Sequence, residues 1–423
     1  MHPHRAIADV LDGVDGPGLV DAVERLVAIP SLGGSDAELE VQDVLAVAWD
    51  ADGLDTRSWD LDIRGLSARP DFPGMEVPRA AARGVLARLP GSGDGPTLLL
   101  LGHTDVVPPG DLAAWSADPF LPRRSAGNLI GRGSCDMKAG TAAMWFAVRA
   151  LIAAGVRLRG DVLLAAVSGE EDGGLGTYAL LADGVTADAC VIPEPTDLDI
   201  VPANGGALTF RLTVRGRATH ASRRTEGVSA VEKLPAVLEC LAQMEAQRNA
   251  QVDPLMQRWD LAYPTSLGTV RAGDWASTVP DLLVAEGRLG VALGETAEQA
   301  RADFVAGLAR LGDTDPWFRE YPVEVEWWGG QFASGRTAPD HRAVALLADV
   351  HESCAGRRPS VYGAPYGSDL RLLAAAGIPT VQFGPGDSRA AHAPDEWVPM
   401  DDVVACARTL AAYAVSFCGL AAD

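Results

Sequence analysis

The sequence predicts an α/β fold interrupted by a smaller α+β unit, and three observations carry that expectation. Stretches 98–101, 161–167 and 187–192 are apolar almost throughout, the pattern of strands covered on both faces of a central sheet. Residues 206–330 change character: strand 208–215, helix 228–247, strands 265–270 and 282–291, helix 297–311 and strand 323–328 follow one another in the βαββαβ order of a ferredoxin-like unit. The chain, at 423 residues, is also too long for one typical core and suggests roughly two domains. The expected organisation is a first domain over 1–205, an inserted second domain over 206–330, and a return to the first over 331–423.

Each element has a local reason. Residues 18–29 place Leu19, Val23, Leu26 and Val27 on one helical stripe, stopped at Pro30. Residues 36–52 form a second helix on Val41, Val44, Leu45 and Ala48, ended by Gly53. The Pro-, Gly- and Arg-rich run 62–83 reads as a loop, and 85–89 as a strand followed by a turn at 91–96. In the central strand that follows, Gly102 is expected to let the chain turn. Residues 108–124 are irregular, and a helix rich in Ala, Trp, Phe and Leu runs on to Gly155. Past the inserted unit, helices at 340–355 and 368–376 precede a strand at 379–383, a turn at 384–387 and a closing helix at 401–418.

Composition narrows the function classes. A net charge of −22 speaks against nucleic acid and against an anionic membrane surface, both of which call for Lys and Arg. No run of 18 apolar residues occurs, so no membrane span is expected, and the first 17 residues lack the apolar core of a signal peptide. Six scattered cysteines without a C-x-x-C pair predict reduced thiols and a cytoplasmic setting.

The chemistry gathers just beyond strand ends, where open α/β sheets place ligands. His103 and Asp105 follow the leucine strand and, two residues apart, project to the same side. A lone His-x-Asp is commonly just a polar loop. Asp136 opens a helix, where a carboxylate also serves as an ordinary N-cap. Glu170, Glu171 and Asp172 are adjacent carboxylates that a solvated loop tolerates and a bound cation favours more strongly. Glu194 is held between two prolines, and His392 follows the strand at 379–383. Taken together, two imidazoles and three or more carboxylates suit two borderline divalent ions of the zinc type, whereas an all-oxygen calcium or magnesium site has no need of the histidines.

Four motifs in order, Gly102-His-Thr-Asp-Val-Val-Pro, Gly131-Arg-Gly-Ser-Cys-Asp-Met-Lys-Ala-Gly, Ser168-Gly-Glu-Glu and Phe383-Gly-Pro-Gly with Ala391-His-Ala-Pro-Asp-Glu, make the chain resemble one family across nearly its whole length. This is the di-zinc amidohydrolase and exopeptidase family of acetylornithine deacetylase, succinyl-diaminopimelate desuccinylase, carboxypeptidase G and the aminoacylases. The resemblance implies a zinc-exopeptidase-like α/β/α catalytic domain with a mixed sheet, the inserted unit acting as a lid. It implies two divalent ions, zinc with cobalt or manganese as alternatives. Asp136 would bridge them, His103 and Glu194 would complete one site, and Glu171 and His392 the other. Glu170 would be the general base, and Asp105 would orient His103. His220, in Thr219-His-Ala-Ser222, would reach the neighbouring subunit of a homodimer paired through the lid and hydrogen-bond the oxyanion there. A substrate carboxylate would be anchored by an arginine such as Arg288 or Arg371, although Arg288 lies on a predicted strand where a structural ion pair is as natural. Ser277 and Ser368 stand where many members carry Asn and Thr, which leaves the substrate open. The implied reaction is hydrolysis of the amide of an N-acyl amino acid or related small N-acyl amine, as in the acetylornithine deacetylases. Dipeptidase or carboxypeptidase activity and a non-catalytic metal-binding homologue are the alternatives.

Overall fold

The computed structural model describes residues 3–422 and has, as expected, a mixed α/β architecture with a second, smaller sheet. The large sheet has nine strands. Its main path runs Asp55–Asp60, Arg83–Leu89, Val162–Val167, Leu98–His103, Ala189–Ile192, Thr380–Gln382, Ile200–Asn204 and Gly335–Arg336, and Val361–Ala364 pairs alongside Ile200–Asn204. Four neighbours, Val162–Val167, Leu98–His103, Ala189–Ile192 and Thr380–Gln382, are mutually parallel, so their C-terminal ends open on the same edge. The flanking pairs are antiparallel.

The leucine strand explains why this sheet is central. Every residue of Leu98–His103 is buried. Side chains alternate across a strand. Leu98 and Leu100 join one core with the helices Gly16–Val27, Ala139–Ala153, Arg342–Ala355 and Met400–Cys418, while Leu99 and Leu101 join another on the opposite face with Leu180, Leu370 and Leu373. Gly102 does not turn the chain. The strand continues through it to His103, and a Cβ there would come within 2.5 Å of Thr141 Oγ1. Glycine is needed because the helix Ala139–Ala153 packs closely, not because the backbone bends.

The smaller sheet is antiparallel in the order Thr265–Ala272, Leu282–Val291, Gly206–Arg215, Glu324–Phe332. Helices Ala230–Arg248 and Ala297–Ala309 cover it around a separate core that includes Leu208, Phe210, Val237 and Phe304. Both helices start on side-chain caps: Ser229 accepts from Glu232 N–H and Thr296 from Gln299 N–H.

Several elements differ from expectation. Strand Asp55–Asp60 forms at the sheet's edge from a polar sequence with half-exposed or exposed positions, so no apolar alternation announces it. A short helix, Ile63–Ser67, capped by Asp62, interrupts the expected loop at 62–83. Irregular region 108–124 ends in a three-residue strand, Arg123–Ser125, that pairs with Asn128–Ile130 and through it with Trp397–Pro399. Among the described residues no helix is long and apolar enough to cross a membrane.

Candidate metal centre and active-site cleft

The parallel strand ends bring the acidic and imidazole side chains together. His103, the last residue of its strand, is 1% exposed. Its Nδ1 donates to the main-chain oxygen of Asp105 at 3.0 Å. A carbonyl can only accept, so Nδ1 carries a proton and Nε2 is the ring nitrogen that faces inward. There it meets Asp136 Oδ1 at 3.0 Å and Glu194 Oε1 at 3.9 Å. His392 Nε2 lies 3.1 Å from Glu171 Oε2 and 3.5 Å from Asp136 Oδ2. The two oxygens of Asp136 therefore face different imidazoles.

Asp136 is no helix cap. The helix begins at Ala139, and Asp136 lies in the irregular turn Ser134–Lys138 with φ −116° and ψ 100°. Its peptide bond to Met137 is cis. His392 adopts a left-handed φ of 62°, a conformation that a non-glycine residue keeps only where its surroundings fix it. Asp105 orients His103 through its main chain; its carboxylate is 3.8 Å from His103 Nδ1 and instead accepts the backbone N–H groups of Glu170 and Glu171, each at 3.2 Å. One residue thus fixes both the imidazole and the Glu-Glu loop.

The electrostatics ask for a cation. Burial pushes the Glu194 and Glu171 carboxyls up, and the neighbouring Asp136 charge adds to both. Glu170 is driven well up by burial and then by Asp369, which is itself fully buried. Burial opposes charging of His103, but its hydrogen bond to Asp136 and the charges of Glu194 and Asp136 override this and raise it well above its ordinary value. Hydrogen bonds to Asp136 and Glu171 draw His392 up to about 11. With no ion bound, a proton supplies the positive charge between His103 Nε2 and Asp136 Oδ1, 3.0 Å apart; a divalent ion held by the same atoms would take its place. Ligating atoms of His103, Asp136 and Glu171 all lie within 4.8 Å of one another. Nitrogen from imidazole and oxygen from carboxylate is the donor mixture that zinc-type ions take.

Asp136, Glu170, Glu171, Glu194 and His392, with His103 buried behind them, line a cleft of about 690 Å³ whose other wall comes from the smaller sheet, including Ser266 and Arg288. The profile of peptidase family M20/M25/M40 matches residues 99–416. The chain belongs to that family. A succinyl-diaminopimelate desuccinylase from Gluconacetobacter diazotrophicus is 33% identical over 367 residues, 83% of this chain and 88% of the relative. An N-formyl-4-amino-5-aminomethyl-2-methylpyrimidine deformylase from Bacillus subtilis is 29% identical over 368 residues, 79% of this chain and 83% of the relative. A dipeptidase structure from Saccharomyces cerevisiae superposes with a TM-score of 0.76 at 17% identity, covering 96% of this chain and 97% of that one. The chain is thus an M20-family hydrolase.

Not every residue singled out from sequence reaches this M20 cleft. Arg371 is 3% exposed and donates inward to Ser368 O and Gly173 O at 2.8 and 2.7 Å, with Phe332 stacked 3.9 Å from its guanidinium. It is buried behind the cleft wall and is not among the lining residues, so it is not placed to meet a substrate carboxylate. Arg288 does line the cleft but is paired with Glu76 at 3.0 Å. His220 is exposed and outside the cleft of its own chain, in a loop joined to Ser277 by the Ala221 N–H to Ser277 O bond.

Other residues that hold the site have no chemical role assigned to them by the sequence. Glu396, 1% exposed, accepts from Cys135 and Asp136 N–H on one oxygen and from Gly133 N–H and Arg132 on the other. Arg132 also donates to His392 O at 3.2 Å. Arg79, fully buried, pairs with Glu38 and Asp172, each at 2.9 Å. Glu396 closes the quoted His-Ala-Pro-Asp-Glu motif, so proximity to His392 was the available signal; Arg79 stood in a Pro- and Gly-rich run and gave none.

Proposed function

We propose that the chain is a metal-dependent amidohydrolase that removes the acyl group from an N-acyl amino acid or related small N-acyl amine. The observation that carries the reading is the placement of Asp136, with one oxygen toward His103 and Glu194 and the other toward His392 and Glu171. On this reading two divalent ions, most simply zinc, would be held here: Asp136 would be shared, with His103 and Glu194 completing one site and Glu171 and His392 the other. When bound, such a pair activates water and polarises an amide carbonyl.

Glu170 does the proton work. It lines the cleft beside these ligands, and its burial favours a carboxyl able to take and return a proton. A carbon–oxygen bond forms as water adds to the carbonyl and gives its proton to Glu170. The carbon–nitrogen bond breaks as Glu170 returns that proton to the leaving amine. Residues 206–330 then act as a lid over this cleft, and we infer that it also pairs two subunits. The edge strand Thr265–Ala272 leaves Val270 46% exposed, and Trp275 beyond it is 73% exposed. His220 Nδ1 accepts from Ser222 N–H, which leaves the proton on Nε2 as a donor for an oxyanion in the second subunit's cleft. Six free cysteines fit a reducing, cytoplasmic setting.

A hydrolysis screen tests the reading: N-acetyl, N-formyl and N-succinyl amino acids against dipeptides, after chelation and after zinc, cobalt or manganese is added back. Hydrolysis of at least one N-acyl class, lost on chelation and regained with metal, is expected. Full activity in demonstrably metal-free protein, or hydrolysis of dipeptides alone, overturns it.

A further inference from the structure

Opposite the metal ligands the cleft carries a second charged feature that the chemistry above leaves unused. Glu76, from the Pro- and Gly-rich run, and Arg288, from the strand Leu282–Val291, both line it. They meet across the boundary between the two sheets. Glu76 Oε1 accepts from Arg288 Nη2 at 3.0 Å, Thr209 Oγ1 at 2.8 Å and Gly330 N at 3.3 Å. All three donors converge on one oxygen. The other, Oε2, has no protein partner among the described residues, and Arg288 gives only Nη2 to a protein acceptor. Both side chains keep access to the cleft, at 25% and 42% exposure.

The backbone behind this pair is firmly held. Glu76 and Val77 donate their N–H groups to Asp172 Oδ2 at 3.0 and 2.7 Å, and Asp172 is pinned by the buried Arg79. Gly74 packs so closely on Gly329 that a Cβ would meet Gly329 O at 1.9 Å, and Gln331 N donates to Pro73 O at 2.8 Å. The run is therefore clasped to the catalytic loop at one end and to the lid sheet at the other. A side chain on such a support keeps its position without a ligand, which is what recognition requires.

We propose that Glu76 and Arg288 form a head-group subsite for a zwitterion: Arg288 takes the substrate's carboxylate and Glu76 Oε2 its ammonium. The proposal rests on the amidohydrolase reading and names the substrate class within it. A guanidinium alone would favour any carboxylate. Paired with Glu76, it forms a neutral site with donors on one side and a free acceptor on the other. A head bearing only a carboxylate leaves Glu76 uncompensated and faces its repulsion. A head bearing only an ammonium leaves Arg288 without a new partner. The matching ligand carries both charges side by side, as a free α-amino acid end does, with the scissile amide at the other end of the molecule near Glu170.

The test uses three amides with the acyl group that the screen finds best: Nε-acyl-lysine, its deamino analogue 6-acylaminohexanoate, and its decarboxy analogue N-acylcadaverine. Wild type is expected to show the highest kcat/KM on the lysine derivative. In E76Q the preference for it over 6-acylaminohexanoate should fall by about tenfold or more, because a charge facing the ligand at close range is removed. E76D keeps the charge while withdrawing from Thr209 and Gly330, and should keep the preference. R288Q should shift selectivity the opposite way, toward N-acylcadaverine. Metal content should match wild type in all three. If E76Q leaves the preference unchanged, or if E76D alters it as much as E76Q does, Glu76 is only a strut for the lid and the proposal is overturned. Should E76Q not fold, R288Q decides, since an unmoved preference in that variant also refutes the subsite. Failure of the wild type to hydrolyse any N-acyl compound in the screen would sink the parent reading instead.

Discussion

Glu396→Gln tests how the cluster is held, and its cost can be worked from the contacts. The wild-type carboxylate offers two acceptor oxygens, each taking two donors: Cys135 N at 2.8 Å and Asp136 N at 3.0 Å on Oε1, Arg132 Nη1 at 2.6 Å and Gly133 N at 3.0 Å on Oε2. Glutamine keeps one oxygen. Whichever way the amide lies, two buried donors meet an NH₂ group. An unsatisfied buried donor costs about 1–3 kcal/mol, so the direct loss is about 2–6 kcal/mol. The ion-pair view agrees, since breaking a buried pair costs about 3–5 kcal/mol. Where the NH₂ faces Arg132, the guanidinium keeps only its bond to His392 O and the face of Trp115, 5.1 Å away. The turn carrying Asp136 and the segment carrying His392 both lean on this carboxylate, so metal affinity should drop about 10–100-fold, the range for a lost outer-shell partner. Urea unfolding of chelated protein reads the first quantity, and competition with a chromogenic chelator reads the second. A variant that unfolds at the wild-type urea concentration and binds metal with wild-type affinity would show that Glu396 supports neither element.

Three further outcomes are expected. Glu170→Gln should lower kcat by roughly 10²–10⁴, the usual range for a general base, with metal content unchanged; loss of metal together with activity would make Glu170 a ligand. Mixing His220→Ala with Glu170→Ala should restore activity if His220 serves the second subunit, because one site of the mixed dimer is then intact; no recovery, with exchange demonstrated by mass, rejects the crossed arrangement. Buried His351, held down to about 4 first by burial and then by the Arg357 charge, should make stability pH-dependent. The neutral ring is favoured in the folded state, so its contribution is whole above the unfolded value of about 6.5 and is lost as pH falls toward 4, about 3 kcal/mol in all. His351→Gln should flatten urea midpoints over that window, and parallel profiles for both proteins would exclude His351 as the cause.

Much of the architecture is legible because it rests on local chemistry. Consecutive apolar residues such as Leu98 to Leu101 leave no polar face and so specify a strand covered on both sides, and the βαββαβ order of 206–330 shows in periodicity alone. The residues that cluster also announce themselves. His103, Glu170, Glu171, Glu194 and His392 each follow an apolar strand, and four parallel strands deliver their ends to one edge. What sequence leaves dark is of another kind. The edge strand Asp55–Asp60 is polar because one side faces solvent. Gly102 looks like a turn residue, and only the approach of Thr141 shows that it makes room for a helix. Arg288 and Arg371 look equivalent as anchors, yet burial and two carbonyls remove Arg371 from the cleft.

The contacts hardest to foresee are also the ones that join the parts. Asp172 is the third of three adjacent acids, and its neighbours Glu170 and Glu171 carry the chemistry on the proposed mechanism. Its own carboxylate takes Arg79 from one side and the N–H groups of Glu76 and Val77 from another, and so fixes the run that grips the smaller sheet at Pro73 and Glu76. Arg79 in turn reaches Glu38 on the helix Asp36–Ala51, whose carboxyl burial raises to about 7. A continuous chain of charge-assisted bonds therefore runs from the first domain's helix through the Glu170–Glu171 loop to the smaller sheet. Each link joins residues distant in sequence, and a polar side chain in isolation carries no mark of its partner. The same chain gives a physical reason for three acids in a row: all three line the cleft, and the third, bonded to Arg79 and to the N–H groups of Glu76 and Val77, ties down the loop that presents the other two.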